Sequence, residues 1–227
     1  MKQLRLKITA DGSSTIYNEK IDENYHSIHG ALQESMHVFI DKGLLNSLNK
    51  TFKNENLKIL EIGWGTGLNC ALTYFNSTDS KIKIEYHGIE PFPVADNLIA
   101  KLNFSFNNSE QEFFKALHQL SWNKNHFINS SFSLTKHEST FENFNSLEQF
   151  DLIYFDAFAP RKQPELWLKN IFEKIYGLLR ADGSLVTYCA KGQVRRDLEA
   201  VGLSVERLDG PTGKREMIRA TKIFNMI

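Results

Sequence analysis

Two short stretches of the 227-residue chain carry the side chains best suited to chemistry. Glu61-Ile62-Gly63-Trp64-Gly65-Thr66-Gly67 follows one apolar run, and Asp156-Ala157-Phe158-Ala159-Pro160 follows another. Glycines after a buried strand let the backbone turn sharply and approach a ligand more closely than a side chain would allow. The pattern E-x-G-x-G-x-G leads into Leu68-Asn69, where a phosphate-binding P-loop would want Gly-Lys-Ser/Thr. The next predicted strand ends in Glu90, a carboxylate placed to accept the hydroxyl hydrogens of a ribose. Such a loop fits a nicotinamide dinucleotide or S-adenosylmethionine, or is an ordinary strand–turn–helix without a ligand. Glu61 favours S-adenosylmethionine, whose ammonium seeks a carboxylate, whereas a pyrophosphate would be repelled. Trp64 either stacks on the cofactor or packs.

Asp156 falls where a later strand leaves the sheet. Ligands of doubly wound sheets bind at the carboxyl ends of strands, so Asp156 and the glycine loop should face one crevice. Methyl transfer to nitrogen needs a lone pair in line with the sulfonium–methyl bond. An ammonium must first lose a proton, and a carboxylate can accept it and hold the nitrogen in line. Phe158 would supply a flat apolar wall, and Pro160 would stiffen the loop. The alternative for Asp156 is a turn or cap residue. Arg161 and Lys162 follow at once and could meet a substrate phosphate or stay solvated, while Trp167 reads as core. His26 and His29 are spaced like metal ligands, but no His/Cys partner set accompanies them, so both read as loop histidines and no metal is expected.

The elements that must position these residues alternate in the α/β manner. Residues 1–20 predict a hairpin turning at Asp11-Gly12, and a helix follows through about Leu45. Strands are predicted at Leu57–Ile62, Ile82–Ile89, Phe132–Lys136, Phe150–Phe155 and Gly183–Cys189. Helices are predicted at Leu68–Phe75, within 94–120, at Pro164–Leu179 and at Val194–Ala200. Leu203–Leu208 and Glu216–Thr221 would close the sheet as an antiparallel pair. The Asn- and Ser-rich stretches 103–109 and 123–131 read as loops. Residues 1–50 would form a hairpin-and-helix extension on a core spanning 51–227.

Lys plus Arg and Asp plus Glu both number 27, which argues against holding nucleic acid by bulk charge but leaves room for a local basic patch. Lys191, Arg195, Arg196, Lys214, Arg215, Arg219 and Lys222 cluster in the last third and could contact phosphates, although a solvated helix face explains Arg195 and Arg196 nearly as well. Cys70 and Cys189 are far apart and read as reduced thiols of a cytoplasmic protein. The amino terminus lacks the apolar core of a signal peptide, and no run reaches the roughly 18 apolar residues of a membrane span.

With these residues in hand, the chain resembles the methyltransferase domain that completes 5-methylaminomethyl-2-thiouridine at the wobble position of bacterial tRNAs. The matching segments are Gly30–Ser35, Glu61–Asn69, Glu90-Pro91-Phe92-Pro93, Phe155–Pro160 with Pro164–Trp167, and Lys214-Arg215-Glu216-Met217. They run in family order over nearly the whole chain, and the stand-alone form of the domain is the nearest match. The resemblance implies a Rossmann-like class I S-adenosylmethionine-dependent methyltransferase, its mostly parallel sheet covered by helices on both faces, without FAD. Tyr25, Gly30, Glu61, Gly63, Gly65, Gly67 and Glu90 would hold S-adenosylmethionine, with Glu138 toward the adenine. Asp156 would contact the aminomethyl nitrogen, and Phe158, Arg161, Lys191, Arg195, Arg196, Lys214 and Arg215 would meet the tRNA anticodon loop. A functional link to the enzymes that make the aminomethyl precursor follows. The rivals are a transferase acting on a small amine, a nicotinamide oxidoreductase, and a non-catalytic RNA-binding module of the same fold.

Overall fold

The computed structural model describes residues 4–49, 56–78 and 80–223. The alternating Leu4 and Leu6 lie on β1 (Leu4–Ile8), which pairs antiparallel with β2 (Ser14–Asn18). A short β3 (Glu23–Asn24), which the residue pattern did not announce, adds a third strand to this small sheet. One helical segment follows, α-helical over Ala31–Ser35, π-helical over Met36–Leu45 and α-helical again over Asn46–Asn49. Its Val38, Phe39, Ile40 and Leu44 are buried in one cluster with Leu57, Ile59, Tyr154 and Val186 of the main sheet. The expected boundary at 50/51 lies outside the described residues.

The main sheet comprises β4 (Asn56–Ile62), β5 (Lys83–Ile89), β6 (Asn125–Phe127), β7 (Phe132–His137), β8 (Phe150–Phe155), β9 (Leu179–Thr187), β10 (Ser204–Asp209) and β11 (Glu216–Thr221). Their spatial order is β10-β11-β9-β8-β4-β5-β7-β6. β7, β5, β4, β8 and β9 run parallel, and β6, β10 and β11 join antiparallel. The period-2 alternation of a strand sorts side chains into two cores. Leu57, Ile59, Leu152 and Tyr154 face the helices Leu68–Ser77 and Asn108–Gln119. Leu60, Ile62, Ile153 and Phe155 face the helices Lys169–Leu178 and Gly192–Ala200. All six residues of β8 are buried, as expected of a parallel strand covered on both faces. β4 is flanked by β5 and β8, so strand order reverses there and a crevice opens at the carboxyl ends of β4 and β8. Among the described residues no helix is long and apolar enough to cross a membrane.

Several elements differ from the sequence expectation. Region 94–120 holds two helices, Asp96–Ile99 and Asn108–Gln119, the second begun by a capping box between Asn107 and Glu110. Pro164–Trp167 forms a separate 3₁₀ turn, because extended Leu168 breaks it from Lys169–Leu178. β9 starts at Leu179 rather than Gly183, its register shifting against Phe150 and Leu152. β6 lies inside the Asn-rich stretch read as a loop; it is a three-residue edge strand whose polarity hides it. Lys136, inside β7, is fully buried. Its Nζ donates to the carbonyls of Leu117 (3.0 Å) and His118 (3.3 Å), closing the helix Asn108–Gln119, and burial pushes its pKa down to about 8.

Gly88 on β5 makes room for Trp64: a Cβ added there would lie 2.3 Å from Trp64 Cε3. Gly88→Ala should force the indole off its seat and destabilise the fold by about 1–3 kcal/mol. A urea unfolding midpoint equal to that of the natural chain would show that the contact is soft.

Candidate functional site

The glycine loop is tied to the ends of two strands by backbone groups. Asp156 N–H donates to Ile62 O at 3.0 Å, and the amides of Gly63 and Trp64 both donate to Ile89 O, at 3.1 and 2.9 Å. Gly63 takes φ 94°, and a Cβ there would lie 2.5 Å from the Asp156 carbonyl oxygen. Glycine is therefore what lets the loop after β4 touch the loop after β8. Glu90, at the end of β5, accepts Gly65 N–H (2.9 Å) and Phe92 N–H (2.9 Å), so its carboxylate braces the loop. Thr66 is held twice: His26 Nε2 shares a hydrogen bond with its hydroxyl at 3.0 Å, and His118 Nε2 donates to its carbonyl at 3.0 Å. Trp64 is 2% exposed, edge-on to Tyr86, His118 and Trp122, so it packs beneath the loop.

Beneath the loop lies a bridged pair of carboxylates. Glu61 is fully buried; its Oε1 accepts from Asn69 Nδ2 at 2.8 Å and its Oε2 from the Tyr86 hydroxyl at 2.9 Å. Asn69 Nδ2 also donates to Asp156 Oδ2 at 2.9 Å. Burial, and next the charge of Asp156, push Glu61 well above the ordinary carboxylate range. Burial first, and then the charge of Glu34, push Asp156 up to about 7, against the pull of Asn69 and Lys214. A carboxyl group at that value can exchange a proton near neutral pH. The ammonium of Lys214 contacts Glu34 and lies 3.8 Å above the Tyr188 ring, whose hydroxyl donates to Ala157 O at 2.8 Å.

A cavity of about 1110 Å³ opens onto this centre, large enough for a nucleoside and a second base. Tyr25, Gly63, Gly65, Glu90 and Glu138 line it, together with Asp156, Phe158, Arg161 and Lys214. Tyr25 meets Phe158 edge to face at 5.2 Å. The other expected site residues lie outside its lining. Glu61 sits behind Asn69, Gly67 starts the helix Leu68–Ser77, and Gly30 packs against Asp11. Lys191 begins the helix Gly192–Ala200, Arg195 pairs with Glu199 at 3.3 Å, Arg196 donates to Gln193 at 2.8 Å, and Arg215 is exposed. Arg161 and Lys162 pair with Glu23 (3.2 Å) and Asp22 (3.0 Å) of the amino-terminal sheet. Sequence reasoning gave no role to Asn69, Glu34, Tyr188 or His118. Of these, Asn69 and Glu34 stood inside segments that carry the resemblance, Glu61–Asn69 and Gly30–Ser35, without a role of their own. Away from the cavity, Glu85, His87 and Glu148 bring ligand-type atoms within 4.8 Å of one another, but the Lys58 ammonium already bridges the two glutamates at 3.2 and 3.0 Å.

A family model described as S-adenosyl-L-methionine-dependent methyltransferase matches residues 111–223. The tRNA 5-methylaminomethyl-2-thiouridine biosynthesis bifunctional protein MnmC of Leptospira interrogans is 31% identical, over 93% of this chain and 34% of that protein. Its namesake in Campylobacter hominis is 30% identical, over 90% and 31% respectively. The chain thus spans about a third of the length of these curated relatives. The crystal structure of MNMC2 from Aquifex aeolicus superposes with a TM-score of 0.80 at 23% identity, covering 98% of this chain and 71% of that one. The fold is that of class I S-adenosylmethionine-dependent methyltransferases, α/β with a mostly parallel sheet, as the resemblance implied.

The two histidines on Thr66 carry a pH consequence. Burial is the main cause that pushes His26 and His118 each down to about 4. Below their ordinary value of 6.5 the unfolded chain binds protons that the fold refuses. Their contribution is therefore complete above pH 6.5 and is lost as pH falls toward 4. The thermal midpoint should fall over that window, less steeply in His26→Asn; an equal slope in the variant would remove His26 from the effect.

Proposed function

The chain is related to the S-adenosyl-L-methionine-dependent methyltransferases, and on that premise we propose that it methylates the amino group of 5-aminomethyl-(2-thio)uridine at the tRNA wobble position. The observation that carries this reading is Asp156: a carboxyl group raised to about 7, backbone-bonded to the glycine loop and lining the same cavity.

The residues present fit the cofactor. Gly63 and Gly65 form a side-chain-free stretch of wall, Glu90 stands at the strand end where a ribose is held, and Asn69 Oδ1 is a buried acceptor that no described residue satisfies. When bound, S-adenosylmethionine supplies an electrophilic methyl group on a sulfonium sulfur. Asp156 would take a proton from the substrate ammonium and hold the freed nitrogen with its lone pair available to that methyl group. Tyr25 and Phe158 offer aromatic surface to a base splayed from a single-stranded loop. Glu138 contributes at the end of β7, the adenine side. Arg161, Lys191, Arg195, Arg196 and Arg215 are the candidates for phosphate contact; each would weaken binding and lower its salt slope when removed. The names of the relatives, which give tRNA 5-methylaminomethyl-2-thiouridine biosynthesis, support a tRNA thiouridine as substrate; the wobble position, the cytoplasm and a link to the enzymes that make the aminomethyl precursor belong to the same proposal.

Asp156→Ala should lower turnover on aminomethyl-uridine tRNA about 10²–10⁴-fold while leaving S-adenosylhomocysteine affinity within about threefold. Near-natural turnover would remove Asp156 from the chemistry. Glu90→Ala should weaken S-adenosylhomocysteine by about tenfold or more in calorimetry, since both the loop brace and the ribose acceptor are lost; unchanged affinity would contradict the assignment. At the level of the cell, mass spectrometry of wobble nucleosides should show aminomethyl uridine accumulating when the gene is deleted, and an unchanged profile would reject the substrate.

A further inference from the structure

Asn69 occupies the first turn of the helix Leu68–Ser77 and is 3% exposed. One Nδ2 bonds carboxylates of two strands, Glu61 of β4 at 2.8 Å and Asp156 after β8 at 2.9 Å. Two carboxylate acceptors fix the amide orientation, because only the NH2 end can donate to both. The carbonyl end is then determined as well. Its Oδ1 is buried and receives no hydrogen from any described residue, although Asn69 lines the cavity. Buried acceptors without a donor are rare in folded proteins and call for an explanation. Glu61, the carboxylate expected to meet the cofactor's ammonium, is fully buried, bonded by Asn69 and Tyr86, and absent from the cavity lining.

We propose that Asn69 is the positioning residue that joins the two halves of the site: its NH2 group aims the Asp156 carboxylate at the acceptor amine, and its carbonyl oxygen receives an N–H of the donor's ammonium in place of Glu61 behind it. This rests on the methyltransferase reading above. Glu61 then acts through Asn69, polarising the amide so that its oxygen is a stronger acceptor. The same side chain separates Glu61 from Asp156, two carboxylates whose charges repel. The other groups that set the proton affinity of Asp156 are Glu34 from the helix Ala31–Ser35 and Lys214 from the turn between β10 and β11; Tyr188 after β9 is near enough for Asp156 to raise its phenol pKa. None of these is altered by changing Asn69.

The test uses the full chain and two probes. S-adenosylhomocysteine keeps the amino-acid arm; 5′-deoxy-5′-methylthioadenosine lacks it. Asn69→Ala should weaken the first by about tenfold or more in calorimetry and the second by less than about threefold. It should also move the acid limb of kcat/KM on aminomethyl-uridine tRNA to higher pH by about one unit, because Asp156 loses a donor to its charged form. Asn69→Asp, which keeps an oxygen but lacks the NH2 group, should retain S-adenosylhomocysteine affinity and still shift that limb. If Asn69→Ala does not fold, Asn69→Leu, close to asparagine in volume and without either polar group, takes its place in both measurements. Equal weakening of both probes would reduce Asn69 to a support of the loop and overturn the ammonium contact. An unmoved acid limb in Asn69→Asp would overturn its hold on Asp156. A natural chain that binds neither probe would instead sink the methyltransferase reading itself, and this inference with it.

Discussion

The structure depends on one close approach, between the backbone of Gly63 and the carbonyl of Asp156. The strand pair β4–β8 brings the two loops side by side, and Asp156 N–H to Ile62 O closes the contact. A Cβ at Gly63 would sit 2.5 Å from a backbone oxygen, which cannot swing away as a side chain could. Without that approach Asp156 would not share a wall with the glycine loop. Asn69 could not then reach Glu61 and Asp156 together.

Burial around this contact sets the chemistry. Desolvation is the largest influence on Glu61 and Asp156, raising both, and on His26 and His118, lowering both. The same dry environment thus raises a carboxyl group to about 7 and keeps the loop's histidine supports neutral near that pH. Hydrogen bonds from Asn69 and the nearby charge of Lys214 temper the rise at Asp156, which leaves it close to neutrality rather than permanently protonated.

The amino-terminal segment is part of this arrangement. Tyr25 stands over Gly65, His26 grips Thr66, and Glu34 pairs with Lys214 on the far wall. Asp22 and Glu23 pair with Lys162 and Arg161 of the loop that follows Asp156. The small sheet and the helical segment after it thereby link both ends of the sequence across the cavity. The cations that follow Asp156 in sequence are paired within the protein itself, and an RNA phosphate would have to compete with these carboxylates for them.

Much of the architecture was legible in the residues, because parallel strands buried on both faces must be nearly continuous apolar runs, and Phe150–Phe155 is apolar at every position but Asp151. The glycine spacing and the acids at strand ends were legible for a similar reason: a backbone that nears a ligand excludes side chains. Edge strands such as β6, short pairings such as β3 and the break at Leu168 were not, since few buried contacts shape their composition. The partners of Asp156 were equally hidden. Asn69, Glu34, Lys214 and Tyr188 lie 87, 122, 58 and 32 positions from it in sequence, and no local pattern encodes such pairings. By itself the sequence determined which residues could carry charge to the ends of which strands. Only the tertiary structure decided which carboxylates are dry, which are bridged and which face the cavity, because desolvation and hydrogen bonding depend on neighbours that chain order does not specify.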